Sequence, residues 1–216
     1  MDLTNKYVIT INRELGSGGR TVGEKLAAKL GVPFYDKAHI KAIEEKYSLS
    51  VDEIEKLKGK KKTWWTDIKK MVELDGNYAV SVHSHLPELA ATLKEKPDSG
   101  KIFQAELEML QGIADTESCV LAGRCGFFAL KDHPNHLSIL IQSPMEQRVE
   151  RLVKKGGVDA KEAKKIIETI DKQRELYVSQ NTGTSRYDTR NYDLVISMAG
   201  KTEDEAVDII LKFIGK

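Results

Sequence analysis

The residues best suited to chemistry run from Ile9 to Thr21, Ile-Thr-Ile-Asn-Arg-Glu-Leu-Gly-Ser-Gly-Gly-Arg-Thr. Gly16, Gly18 and Gly19 lie between an apolar run that reads as a strand and an amphipathic stretch that reads as a helix. Glycine lets a backbone turn sharply and approach an anion with no Cβ in the way. The amides of such a loop converge on phosphate oxygens, and the N-terminus of the following helix adds a partial positive charge. Set against the phosphate-loop pattern G-x-x-x-x-G-K-[ST], the chain offers Gly19-Arg20-Thr21 in the last three places. The pattern's first glycine then falls on Glu14, and Arg20 stands where lysine is usual. Arg20 keeps the charge and adds a planar fork that grips two phosphate oxygens, while Thr21 keeps a hydroxyl suited to Mg²⁺. The expected triphosphate cradle is therefore Gly16, Ser17, Gly18, Gly19, Arg20 and Thr21. A plain glycine-rich turn and a dinucleotide-binding loop are the competing readings. The second would need glycine at position 21, where Thr stands, and its acidic partner would have to be Asp36, which comes early.

Phosphoryl transfer asks the protein mainly for positive groups around the transferred oxygens. Arg148 and Arg151 lie three apart and share a helix face, and Asp171 and Arg174 repeat that spacing on the next helix. Lys154-Lys155-Gly156-Gly157 joins the two helices. Closing such a helix–loop–helix lid would exclude water and bring arginines onto the phosphates. Arg20, Arg148, Arg151 and Arg174 are the catalytic candidates, with Tyr177, Arg186 and Arg190 behind them, and ordinary surface ion pairing is the alternative for each. An alcohol acceptor would want a nearby carboxylate as base, and Asp36 is the nominee. Trp64-Trp65 suits packing or a subunit contact better than base stacking. His83-Ser84-His85 lacks the further ligands that a metal site needs.

These groups need a scaffold, and the apolar runs supply one. Tyr7–Ile11, Pro33–Tyr35, Cys119–Ala122, Leu137–Ile141 and Leu194–Ile196 show little polar alternation, as strands buried on both faces do. They alternate with helical patterns, which predicts an α/β fold with a parallel sheet. Ser143-Pro144 with Glu146, Thr202 with Glu205, and Ser50 with Glu53 mark helix starts, and Gly31 marks a helix end. Residues 41–117 contain no convincing strand and read as a helical insertion, a natural place to bind an acceptor. The core is then residues 1–40 and 118–216, with the lid at about 145–180.

Composition limits the partners. Lys and Arg number 34 against 33 Asp and Glu, so no global basic field exists to hold nucleic acid, and the basic run 58–62 suits a solvated helix end. No apolar run reaches membrane-spanning length and no secretory leader is evident, so the expected compartment is the cytoplasm, with Cys119 and Cys125 reduced. The oligomeric state is left open.

Arg13-Glu14-Leu15-Gly16-Ser17-Gly18-Gly19-Arg20 and Gly31-Val32-Pro33-Phe34-Tyr35-Asp36-Lys37 together resemble the cytidylate-kinase-like P-loop proteins. So do Gly123-Arg124, the stretch from Leu137 to Arg151, and Asn191-Tyr192-Asp193-Leu194. The resemblance covers both ends of the chain. It implies a three-layer P-loop fold with a five-stranded parallel sheet, a helical acceptor-binding insertion and a helical lid. It also implies ATP, Mg²⁺ and a nucleotide acceptor such as CMP. By position it implies acceptor binding at Asp36 and Arg124. Two acceptor elements depart from the family. Lys37-Ala38-His39-Ile40 replaces a Ser/Thr-Gly-Ala-x-Tyr-Arg segment, and Cys125 replaces the Asp of Gly-Arg-Asp. Those departures keep open a kinase of another small metabolite, and a nucleotide-binding regulatory protein without turnover.

Overall fold

The computed structural model describes residues 1–36, 99–123 and 125–216. Expectations for Arg124, Trp64, Trp65, His83, His85, the run 58–62 and the helix opened by Ser50 lie outside the described residues. Five strands form one sheet: β1 (Val8–Arg13), β2 (Phe34–Asp36), β3 (Cys119–Ala122), β4 (His136–Gln142) and β5 (Leu194–Ser197). Every pairing is parallel, in the order β2-β3-β1-β4-β5. Side chains alternate across a strand, and both faces of β1 are apolar. Ile9 and Ile11 join Val120, Ile139 and Ile141 on one face, against Val22 and Leu26 of α1 (Gly19–Leu30). Val8 joins Cys119 and Leu121 on the other, against Met109, Leu110 and Ile113 of α2 (Ser99–Thr116). The result is the three-layer α/β architecture with the five-stranded parallel sheet that the strand pattern and the family resemblance point to.

The expected insertion 41–117 ends in α2. This helix packs on the sheet through its apolar stripe and so serves the core. The remaining helices are α3 (Gly126–Ala129), α4 (Met145–Gly156), α5 (Ala160–Thr182) and α6 (Glu203–Phe213). Among these described helices, none is long and apolar enough to cross a membrane. Thr202 and Glu205 form the reciprocal capping box at the start of α6, and Gly31 closes α1 in the left-handed region with φ +69°. The start of α4 differs from expectation. Pro144 occupies the cap position and Ser143 makes no side-chain cap, because its N–H donates to Glu14 Oε2 at 3.0 Å and its hydroxyl pairs with Gln147. That N–H ties the lid helix to the loop after β1.

From β1 the chain passes through α1 to β2 at one edge, whereas the connection from β3 returns past β1 to β4 on the other side. In open α/β sheets the crevice at the carboxyl ends of the strands, where connections part in this way, is where ligands bind. The glycine-rich loop sits at that end of β1.

Candidate active site

The loop from Glu14 to Gly18 is shaped by two glycines with positive φ, Gly16 at +80° and Gly18 at +83°. Gly18 caps α1, whose first helical residue is Gly19. A Cβ on Gly16 would lie 2.9 Å from the Arg148 carbonyl oxygen and 3.0 Å from Leu152 Cδ1, so only glycine lets α4 pack this closely on the loop. Ser17 is fully buried and folds the loop on itself. Its hydroxyl donates to the Glu14 carbonyl at 2.9 Å and accepts from the Gly19 amide at 3.3 Å. The amides of Gly16, Gly18, Arg20 and Thr21 donate to no acceptor among the described residues. The Thr21 hydroxyl is equally unengaged among them. Open donors at a helix start make an anion-binding concavity.

Arginines surround the loop. Arg148 is buried and all three of its nitrogens are engaged: Nε donates to the Leu15 carbonyl at 2.8 Å, Nη1 lies 3.4 Å from Glu14 Oε1, and Nη2 pairs closely with Asp171 Oδ2. Arg151 lies across the loop, donating from Nη1 to the Gly16 carbonyl at 2.9 Å and from Nη2 to Glu203 at 2.8 Å. Arg174 makes only long contacts, 3.5 Å to both the Arg13 carbonyl and Asp171 Oδ1. Burial, then the neighbouring charge of Arg186, pushes its guanidinium below the ordinary arginine value. Arg186 is 1% exposed and donates from Nη2 to the Arg13 carbonyl at 2.5 Å, with Nη1 3.4 Å from Asp171. Asp171 is thus the shared carboxylate of Arg148, Arg174 and Arg186, and its Oδ1 also accepts from the Leu15 amide at 3.1 Å.

The structure therefore brings Arg148, Arg151 and Arg174 to one loop, with different freedom. Arg20 and Asp36 form a second group. Arg20 Nε donates to Asp36 Oδ2 at 2.7 Å and its Nη1 lies 3.0 Å from Glu24. Asp36 is 4% exposed at the end of β2, and the Arg20 side chain is 43% exposed. Arg20 thus faces the β2 side, where the resemblance puts the acceptor. Arg124 lies outside the described residues.

A family model described as the cytidylate kinase-like family matches residues 8–199. The chain belongs to the cytidylate kinase-like family. A curated relative, the cytidylate kinase of Methanopyrus kandleri, is 28% identical over 134 residues, 58% of this chain and 67% of the relative. A solved structure of an uncharacterized protein from Eubacterium ventriosum shares 25% identity over 97% of this chain and 98% of its own, with a TM-score of 0.66. A shikimate kinase from Acinetobacter baumannii in complex with shikimate shares 16% identity over 97% of this chain and 93% of its own, with a TM-score of 0.49. Family membership makes the chain a kinase-type phosphotransferase for a nucleotide or small metabolite. It brings ATP as the implied phosphoryl donor.

Three parts of this cytidylate kinase-like site escape a reading by spacing. Glu14, in the chosen register the residue that breaks the motif, bridges the loop to Ser143 and Arg148. Asp171 organises the arginines from 156 residues beyond Leu15. Arg13 ends β1 with its backbone held and its guanidinium free of hydrogen bonds and ion pairs among the described residues. Shifting the motif by one residue would have singled out Arg13.

Proposed function

We propose that this protein transfers the terminal phosphoryl group of ATP to a small acceptor that itself carries a phosphate, a nucleoside monophosphate with CMP first among them. The supporting observation is the set of open amides at Gly16, Gly18, Arg20 and Thr21 just past the carboxyl end of β1, the strand that ends in Arg13, whose carbonyl Arg174 of α5 approaches at 3.5 Å. A polyanion satisfies both kinds of donor, and charge-assisted hydrogen bonds of this type are the strong ones. Mg²⁺ would arrive on the nucleotide's phosphates, with the Thr21 hydroxyl as its protein ligand. An ion that keeps several waters and phosphate oxygens needs no all-protein cage, and the described residues contain no cluster of three or more metal-ligating side chains. The ion would neutralise charge on the phosphate oxygens.

The chain's own residues divide the remaining work. The loop amides bind and orient the donor phosphates. Arg174, at the mouth of the lid with its long contacts, is placed to turn onto the transferring group. Arg151 braces the loop from α4. An acceptor phosphate is already ionised and needs no base, whereas an alcohol would have to give a proton to a carboxylate. The Asp36–Arg20 ion pair commits the nearest candidate base and so favours the phosphate acceptor.

The test is a coupled ADP-release screen with Mg²⁺ across the nucleoside monophosphates and common hydroxyl metabolites. ADP formation with CMP or another monophosphate, abolished by chelation, is the expected result. Turnover confined to a hydroxyl acceptor, or none with any acceptor, would overturn the reading.

A further inference from the structure

The helix start fixes the register of the phosphate-loop pattern. Gly18 is the left-handed residue that turns the loop into α1, and it takes the place of the second glycine in G-x-x-x-x-G-K-[ST]. The pattern's first glycine then falls on residue 13, its lysine on residue 19 and its Ser/Thr on residue 20, where this chain has Arg20, so the Thr21 hydroxyl stands one place beyond it. This chain has arginine at 13 and glycine at 19. The two residue types have changed places.

The geometry shows that they share one space. A Cβ on Gly19 would lie 2.6 Å from Arg13 Cβ and 3.2 Å from Arg13 Cγ. A lysine stem at 19 and an arginine stem at 13 therefore exclude each other, and the stem of Arg13 fills the volume that the lysine would leave empty. Further out, a Cβ on Gly123 would overlap Arg13 Nη1, so a second glycine clears the path of the side chain at the end of β3. The Arg13 guanidinium has Arg174 and Arg186 on its lid side and Arg20 and Asp36 on its β2 side. Its Nη1 lies against Gly123 just past β3, the strand that pairs with β2, on whose side the acceptor is expected.

Its neighbours differ from it in one respect. Arg148, Arg151 and Arg186 are engaged by carbonyls and carboxylates. The Arg13 guanidinium makes no hydrogen bond or ion pair among the described residues, although its main-chain carbonyl is held by Arg186 at 2.5 Å. Burial first, and Arg174 next, push it down to about 9 against the opposing pull of Asp36, with Arg186 and Arg20 adding to the fall, so it is a crowded cation that still carries its charge at neutral pH. A desolvated cation without a partner is costly unless an anion completes it, and five N–H donors wait on one.

We infer that Arg13 is the cation that grips the β- and γ-phosphates of the bound triphosphate, replacing the phosphate-loop lysine from the opposite side of the loop, and that Arg20 serves the acceptor side. This rests on the reading of the loop as a triphosphate site. The test measures binding of Mg·ATP and of inorganic tripolyphosphate by calorimetry, together with ADP formation, in the wild-type chain and in Arg13→Met, Arg20→Met and the double variant Arg13→Gly/Gly19→Lys. Losing a charge-assisted contact should weaken both ligands about 10- to 100-fold in Arg13→Met, and Arg20→Met should stay within about threefold. The double variant restores the glycine and the lysine of the ordinary pattern and should recover most of the loss, which a merely destabilised loop would not. Thermal melts of each variant establish that it is folded. Wild-type affinity in a folded Arg13→Met, or a loss that appears in Arg20→Met instead, would overturn the inference even if turnover with CMP is found. An Arg13-dependent triphosphate affinity with no turnover for any acceptor would uphold it while removing the proposed reaction.

Discussion

Replacing Asp171 by Asn keeps the volume of the side chain and removes one charge from the centre of the arginine cluster. Asp171 is 7% exposed and pairs with Arg148 and Arg186, which are 5% and 1% exposed. The asparagine oxygen can still accept from the Leu15 amide, now 3.1 Å from Oδ1. Its amide nitrogen would then face Arg148 Nη2, setting donor against donor, and two buried guanidinium groups would lose their shared counter-charge. Breaking a buried pair on one side costs roughly 3–5 kcal/mol, because the remaining charge stays desolvated. For a chain of this size each kcal/mol moves the midpoint by about 2–4 °C, so thermal melting should fall by about 6–20 °C. Calorimetric melting of Asp171→Asn beside Asp188→Asn makes the comparison. Asp188 pairs with Arg190, whose side chain is 88% exposed, and losing that contact should leave the melting temperature almost unchanged. If the two variants melt together, the view of Asp171 as the anchor of the loop is wrong.

Two other expectations are independent of the phosphate site. His136 lies 2.7 Å from Thr10 Oγ1, and burial holds it down at about 4 against an ordinary 6.5, despite the opposing pull of Asp193. The unfolded chain therefore takes up this proton first. Stability is intact above pH 6.5 and is lost as pH falls toward 4, by about 2–3 kcal/mol, and His136→Gln should flatten that part of a urea-midpoint profile. Thr202→Ala removes the side-chain half of the α6 capping box, the Glu205 amide's bond to the Thr202 hydroxyl, and keeps the backbone half; it should cost about 1 kcal/mol, read as a drop in melting temperature of about 2–4 °C with CMP turnover unchanged.

The strands and the glycine-rich loop are legible in the sequence because both are local. Val8 to Ile11 is apolar on both faces and so declares a central strand, and Gly16-Ser17-Gly18-Gly19 declares a turn into a helix. The helix–loop–helix of α4 and α5 is legible too, since Gly157 closes α4 and Asp159 caps α5 through the Glu162 amide. The direction in which each arginine points is not local. Whether Arg20 turns to a phosphate or to Asp36 depends on where β2 lies, and Arg148 is engaged by groups from the loop and from α5. Ser143 does not cap α4: its hydroxyl pairs with Gln147, and its amide goes to Glu14, 129 positions earlier. Spacing identifies residues that can meet along one helix, whereas these partners meet only through the fold.

The buried arginines bear on the anion without touching it. A trans peptide is planar, so its carbonyl and the N–H of the next residue point in opposite directions. Arg148 Nε holds the Leu15 carbonyl at 2.8 Å from the core side, and this turns the Gly16 amide, which belongs to the same peptide, away from the core. Asp171 holds the Leu15 amide, so both polar atoms of that residue are fixed. Arg186 does the same for the Arg13 carbonyl and leaves that side chain to extend over Gly123. The chain as a whole carries a formal charge of only +1. The attraction for a polyphosphate therefore cannot come from its overall field. In the proposed function it would come from the open helix-start amides and from the Gly16 amide, aimed in advance by Arg148, the kind of preorganisation that gives electrostatic catalysis most of its effect.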